Sequence, residues 1–259
     1  MKDSDLKRKL EVGPCFGTFV KLPRPEIIDI LAIAGFDFVI CDMEHAQISE
    51  SEARSVIQAC VAAELPVVVR LPEPTQGLVN RLLEAGADGI QMPRLRTAQE
   101  SLELYRMMHF PPQGTRSVGN ANRFAGYGTI PIPEYLVNEN ARVLTIGQFE
   151  TQEIDHPCEP MFETLDVAFI GPMDLSVDFG VPGNFIDSTV QRRVAEIERA
   201  AANSGTIMGA FAGTVADVRR YLAAGYRYLA ISGDISFLSK GAKSLMSSLR
   251  ETYEEISSK

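Results

Sequence analysis

The chain has 259 residues and a formal net charge of −9, from 34 acidic and 25 basic residues, and no basic run that could track a phosphate backbone, which argues against a nucleic-acid partner. No apolar stretch reaches membrane-spanning length and the first ten residues, MKDSDLKRKL, lack the apolar core of a signal peptide, so a cytoplasmic protein is expected. At 45% hydrophobic and 23% charged, with no Gly/Ser or Pro tract to mark a linker, the chain is predicted to form one domain over residues 1–259.

After a short charged segment, Cys15 to Val20 reads as an apolar first strand, and Pro25 to Ala34 as a helix closed by Gly35. Phe36 to Cys41 is a second strand, apolar apart from Asp37, which ends abruptly in Asp42, Glu44 and His45. A helix capped at Ser49 or Ser51 runs to about Glu64, and Pro66 to Val69 is a third strand with Arg70 at its end. A helix over Gln76 to Glu84, a short strand over Gly89 to Met92 and a helix over Thr97 to Met108 continue the alternation.

Residues 111–133 break the rhythm with four glycines and four prolines, too many for a regular element, and Arg116 and Arg123 there point to an ordered lid or interface loop. Strands resume over Arg142 to Gln148, ending in Glu150, and over Val167 to Ile170, ending in Gly171-Pro172-Met173-Asp174. Thr206 to Phe211 and Tyr228 to Ile231 complete eight strands, and a helix over Leu238 to Ile256 ends the pattern. Eight βα units predict a closed (β/α)8 TIM barrel; an open doubly wound sheet is the alternative, but no dinucleotide glycine fingerprint follows the first strand. Cys15, Cys41, Cys60 and Cys158 show no CxxC spacing and read as reduced, structural thiols.

In a barrel all strand C-termini open on one face, which would bring together Asp42, Glu44, His45, Arg70, Glu150 and Asp174. Each has an ordinary reading too: Asp42, Glu150 and Asp174 suit helix N-termini, His45 a surface, and Arg70 a surface ion pair. Jointly, Glu150 and Asp174 supply two carboxylates for a hard divalent cation such as Mg²⁺ or Mn²⁺. Arg70 can meet a substrate carboxylate or enolate oxygen, and His45, oriented by Asp42, can move protons near neutral pH.

The segments FDFVICDMEHA, VVVRLPEP, RLLEAGADGIQMP, QFET and FIGPMDLSVDFG, in this order, resemble the HpcH/HpaI family of metal-dependent pyruvate aldolases across residues 14–235. The resemblance implies reversible class II aldol cleavage of a 4-hydroxy-2-oxo acid to pyruvate and an aldehyde, through a pyruvate enolate and with Mg²⁺, Mn²⁺ or Co²⁺. It assigns Glu150 and Asp174 as metal ligands, Arg70 to enolate stabilisation, His45 with Asp42 to proton transfer, and Gln148 and the Gly171-Pro172-Met173 turn to the substrate.

It also implies a homohexamer in which residues 236–259 form an oligomerisation helix exchanged between subunits. Departures from the family pattern fall at Phe19, which replaces a tryptophan near the end of the first strand beside the substrate, and at Glu84, one methylene longer than the usual aspartate, which is expected to shift its contacts with the proton-transfer network or a neighbouring subunit. Two more are Arg94-Leu95 after the fourth strand and Ser117 beside Arg116. A related lyase acting on acyl-CoA or oxaloacetate, or a barrel without catalysis, are the alternative functions.

Overall fold

The structure, a computed structural model, describes residues 6–258; residues 1–5 and 259, the outermost ends of the expected domain, lie outside the described residues. Among these, eight strands close a parallel barrel in sequence order, from β1 (Cys15–Val20) and β2 (Phe38–Asp42) through β3 (Val67–Arg70), β4 (Gly89–Met92), β5 (Leu144–Phe149), β6 (Val167–Ile170) and β7 (Ile207–Ala212) to β8 (Tyr228–Gly233). The TIM-barrel expectation therefore holds, and no described helix is long and apolar enough to cross a membrane.

The period-two pleat of each strand divides its side chains between two cores. Val39, Cys41, Val67, Val69 and Ile90 face outward and pack with the helices α2 (Pro25–Ile33), α3 (Glu50–Ala62), α4 (Gln76–Ala85) and α5 (Ala98–Met108). Phe38, Ile40, Val68, Ile146, Phe169 and Tyr228 fill the lumen. Lumen packing is tight where Phe38 stacks on Tyr228 at 4.4 Å between ring centroids, and Gly17 on the neighbouring strand leaves the space the Phe38 ring occupies. All four cysteines are free and buried, in keeping with structural thiols.

Two helices escaped the sequence pattern. α1 (Leu6–Val12) lies in the segment that reads as merely charged, but Leu6 and Leu10, one turn apart, are buried in the lumen cluster with Leu144 and Val167 from the strand starts. The helix thus closes the N-terminal end of the barrel. α6 (Ile132–Arg142) takes up Arg142, expected in the fifth strand; its guanidinium bonds to Asp88 and Glu139, outside the lumen.

The remaining helices are α7 (Pro172–Asp178), α8 (Ser188–Ser204), α9 (Val215–Ala223) and α10 (Asp234–Ser257). α10 starts four residues earlier than expected, and of its residues only Asp234 is buried.

Candidate active site

The inward row of each strand continues past the apolar lumen and emerges at the C-terminal rim as Asp42, Arg70, Gln91, Gln148 and Glu150. Register sets neighbours: Asp42 pairs with Arg70 across β2 and β3, and Arg70 with Gln91 across β3 and β4. Adjacent inward positions let the Arg70 guanidinium grip the Asp42 carboxylate with two parallel bonds, Nε to Oδ1 at 2.9 Å and Nη2 to Oδ2 at 2.7 Å.

Asp42 is fully buried and Oδ1 also accepts from the backbone N–H groups of Glu44 and His45, both at 3.1 Å. Burial alone would raise its carboxyl; the bonds and charge of Arg70, the His45 N–H and Lys21 outweigh that and hold it below the usual carboxylate value. The Lys21 ammonium is 3.3 Å from Asp42 Oδ2. The Arg70 guanidinium also stacks over the Phe19 ring, 4.6 Å from its centroid, and its Nη1 is 3.2 Å from Glu44 Oε2. A cation gripped on two sides by acids and on a third by a ring is fixed in place.

This corrects the expected pairing of Asp42 with the His45 imidazole. The carboxylate reaches His45 through the backbone N–H, and the acid beside the ring is Glu44, whose Oε2 is 3.4 Å from His45 Nε2. With its side chain 56% exposed, the imidazole stands at the rim of the cleft.

On the opposite side, Glu150 follows β5 and is almost wholly buried. Its Oε2 accepts from Gln148 Nε2 and its Oε1 from the backbone N–H of Arg94 at 2.9 Å. Arg94 has a φ of 53°, a left-handed conformation that costs a non-glycine residue roughly 1 kcal/mol and here turns its N–H toward the acid. Burial pushes the Glu150 carboxyl up to about 7, against the Gln148 bond and the Arg94 N–H and with the help of the charges on Asp174 and Glu44.

Asp174 sits in the first turn of α7. Gly171, just before that helix, has no side chain because a Cβ there would lie 2.7 Å from Glu150 Oε2 and 3.0 Å from Glu150 Cβ. The variant Gly171→Ala should therefore displace the carboxylate and lower turnover by about tenfold or more, while changing the melting temperature by only a few degrees, because the site and not the core moves. Steady-state kinetics beside a thermal melt checks this.

A cleft of about 470 Å³ opens between these two sides, lined by Phe19, Lys21, His45, Arg70, Gln148, Gly171, Pro172, Met173, Asp174 and Phe211, with Ser232 to Ser236 closing the fourth wall. Most of the predicted metal, base and substrate positions thus line one mouth, with Glu150 buried behind it on Gln148 and Asp42 on Arg70. Three other predicted residues do not. Glu84, at the C-terminal turn of α4, lines a separate cleft of about 610 Å³ with Arg54, Arg81, Arg123 and Tyr127, away from His45. Burial pushes its carboxyl up, opposed by the charge of Arg116.

Arg116 is no lid: it is 1% exposed, bonds Glu139 at 3.2 Å and lies over the Phe110 ring. Arg123 is exposed on the loop wall of the second cleft, so residues 111–133 do not cover the strand-end mouth in this chain.

Among the described residues no group of three or more His, Cys, Asp or Glu side chains is arranged to enclose a metal ion. Glu150 and Asp174 nevertheless fit a hard cation completed by substrate oxygens. The Asp174 charge adds to the cost of ionising the buried Glu150, and positive charge placed beside the pair relieves it.

The sequence model of the HpcH/HpaI aldolase/citrate lyase family matches residues 15–240. A hydroxypyruvate/pyruvate aldolase from Paraburkholderia phytofirmans is 33% identical over 254 residues, spanning 95% of this chain and 97% of the relative. A 5-keto-4-deoxy-D-glucarate aldolase from Klebsiella pneumoniae is 28% identical over 237 residues, 91% of this chain and 92% of the relative. The crystal structure of an HpcH/HpaI aldolase/citrate lyase family protein from Burkholderia cenocepacia superposes with a TM-score of 0.87 at 32% identity, covering 95% of this chain and 99% of that one.

Proposed function

The chain belongs to the HpcH/HpaI aldolase/citrate lyase family and is an enzyme of the aldolase/lyase type, and from that premise we propose that it cleaves a 4-hydroxy-2-oxo acid to pyruvate and an aldehyde with a divalent metal ion. The observation that carries the reading is Arg70, fixed by Asp42, Glu44 and Phe19 across the cleft from Gln148 and Asp174. Glu150 and Asp174 would hold the ion, and when bound it supplies Lewis acidity to the 2-oxo carbonyl.

The side chains do the rest. Arg70 offers a preorganised cation to the oxygen on which negative charge develops as C3 becomes the enolate carbon. His45 takes the proton of the 4-hydroxyl while the C3–C4 bond breaks and the aldehyde leaves, and a proton delivered to C3 then completes pyruvate. Glu44 stabilises the imidazolium that forms. Gly171 leaves room for Glu150, and Phe19, Met173 and Phe211 give the cleft an apolar side for the carbon skeleton. The names of the relatives support pyruvate or its 3-hydroxy derivative as the nucleophile.

Incubating the protein with either oxo acid and a range of aldehydes tests this, with Mg²⁺, Mn²⁺ or Co²⁺ added back after chelation. Product that forms only when the ion is restored is the expected result; equal product in the chelated enzyme contradicts the metal role.

A homohexamer built on residues 236–259 is part of the same proposal. Leu238, Leu245, Leu249, Tyr253 and Ile256 recur every three to seven residues along α10 and are at least half exposed, which suits a helix handed to another subunit. Leu245→Glu with Leu249→Glu should shift the protein to a smaller species in light scattering, and an unchanged mass would refute the role of this face. Four buried free thiols suit the reducing cytoplasm.

A further inference from the structure

A row of uncharged polar groups runs down the lumen behind the cleft and ends on Glu150. Tyr228 on β8 donates its hydroxyl proton to Gln91 Oε1 at 3.3 Å, Gln91 Nε2 donates to Gln148 Oε1 at 2.5 Å, and Gln148 Nε2 donates to Glu150 Oε2 at 2.5 Å. Tyr228 and Gln91 are fully buried and Gln148 is 2% exposed, so water does not compete for these groups. Residues from β8, β4 and β5 form one chain across the barrel.

We propose that Tyr228 and Gln91 are positioning residues: they lock the Gln148 carboxamide with its NH₂ toward Glu150 and the cleft, as a donor to the oxygen of the bound 2-oxo acid. Once Glu150 is ionised, as it is when it holds a cation, its oxygens accept only, so Gln148 must turn its NH₂ to it. Its carbonyl then faces Gln91, which must answer with NH₂ and turn its own carbonyl to Tyr228. A phenol supplies one proton, and its hydroxyl here stays protonated because burial pushes it well above its usual value. The chain therefore has one donor direction, fixed at one end by an acid and at the other by a hydroxyl.

Gln148 Nε2 carries two protons and Glu150 takes one. The second is left for an oxygen in the cleft that Gln148 lines. Reversing the amide would present a carbonyl there instead, against the developing negative charge of an enolate. The role in turnover rests on the aldolase reading, whereas the direction of the chain does not.

Two variants separate direction from packing. Tyr228→Phe keeps the ring that stacks on Phe38 and meets Phe169 edge-on, and removes only the hydroxyl. Gln91→Glu keeps size and shape and, at a pH high enough to ionise the introduced acid, puts an acceptor against Gln148, which must then turn its NH₂ away from Glu150. The kinetic expectation is a loss in kcat/KM of about tenfold for Tyr228→Phe, the effect of one lost buried hydrogen bond, and about a hundredfold for Gln91→Glu. The double variant should be no worse than Gln91→Glu alone, since both act on one amide orientation.

Multiplicative losses, as two independent packing defects would give, overturn the proposal, as does full activity in Tyr228→Phe. Neutron diffraction from deuterated, metal-free crystals at about pH 9, where Glu150 is ionised, reads the orientation without turnover. Deuterons of Gln148 Nε2 on the Glu150 side in the wild type, and on the residue-91 side in Gln91→Glu, are expected. Wild-type deuterons facing Gln91 overturn the direction even if catalysis is aldol cleavage, and the predicted deuteron positions would stand even if no hydroxy-oxo acid is a substrate.

Discussion

Replacing Arg70 with lysine should leave a folded barrel whose turnover falls by about 10²–10³, the cost of losing one preorganised donor to developing negative charge. Lysine keeps a charge near Asp42 but cannot reproduce the fork that bonds both carboxylate oxygens at 2.9 and 2.7 Å, nor lie flat over Phe19. The position of the cation is lost while most of its neutralising effect remains. Arg70→Met removes both, and leaves a fully buried Asp42 with only Lys21 as a charged partner, so it should also destabilise the fold by roughly 3–5 kcal/mol. Kinetics and urea melts of the pair check this. A lysine variant with wild-type kcat would show that the guanidinium geometry has no part in the chemistry.

Glu150→Gln carries the second large effect, and it runs in opposite directions for activity and stability. Removing one of the two carboxylates should abolish the heat of divalent-ion binding in calorimetry and lower metal-dependent turnover by about 10³ or more, since Asp174 alone is a poor site. In the metal-free protein the same change should stabilise. An acid held at about 7 in the folded state, against an ordinary 4.5, keeps its proton on folding while the unfolded chain has lost it.

Stability therefore falls as pH rises from about 4.5 to about 7, and above that window the charged Glu150 costs on the order of 3 kcal/mol. Glutamine escapes this cost but has a single acceptor for the two donors Gln148 and Arg94, which returns about 1 kcal/mol. A metal-free melt at pH 8 should thus show the variant more stable than wild type by roughly 2 kcal/mol, and one at pH 4, where the wild-type acid is protonated, should show it less stable by roughly 1 kcal/mol. A less stable variant at pH 8 would contradict the crowding of negative charge at this site.

The rim residues were legible because strands end sharply when an apolar run meets a charge, as at Asp42, Arg70 and Glu150, and because a closed parallel barrel brings all such ends together. The strand periods at Gly89–Met92 and Val167–Ile170 were read to the residue, since Pro or Gly stops both. Partner identity was another matter. Sequence nearness suggested Asp42 with the His45 ring, but lateral register across β2 and β3 puts Arg70 opposite Asp42, and register is set by the whole barrel.

Glu84 was placed by likeness to relatives and Arg116 by the composition of its loop, and within this chain both belong to the loop side of the molecule, where Arg116 is buried against Glu139 and Phe110. α1 was hidden because two leucines among charges are too few for a helical period, and they become decisive only when a barrel end needs closing. Lys21, Gln91, Tyr228 and the Arg94 N–H gave a fainter signal. Gln91 is a polar residue on the inward row of a strand, and that pattern, counted strand by strand, would have found it.

The most direct measurement is the exchange of the pyruvate methyl protons for deuterium, followed by proton NMR in D₂O without any aldehyde, because it isolates enolate formation from aldehyde recognition. The account predicts steady loss of the methyl signal with Mg²⁺ present, arrest on chelation, and marked slowing in Arg70→Lys and Glu150→Gln. Exchange that persists undiminished in the chelated enzyme, or none with the metal restored, would contradict it.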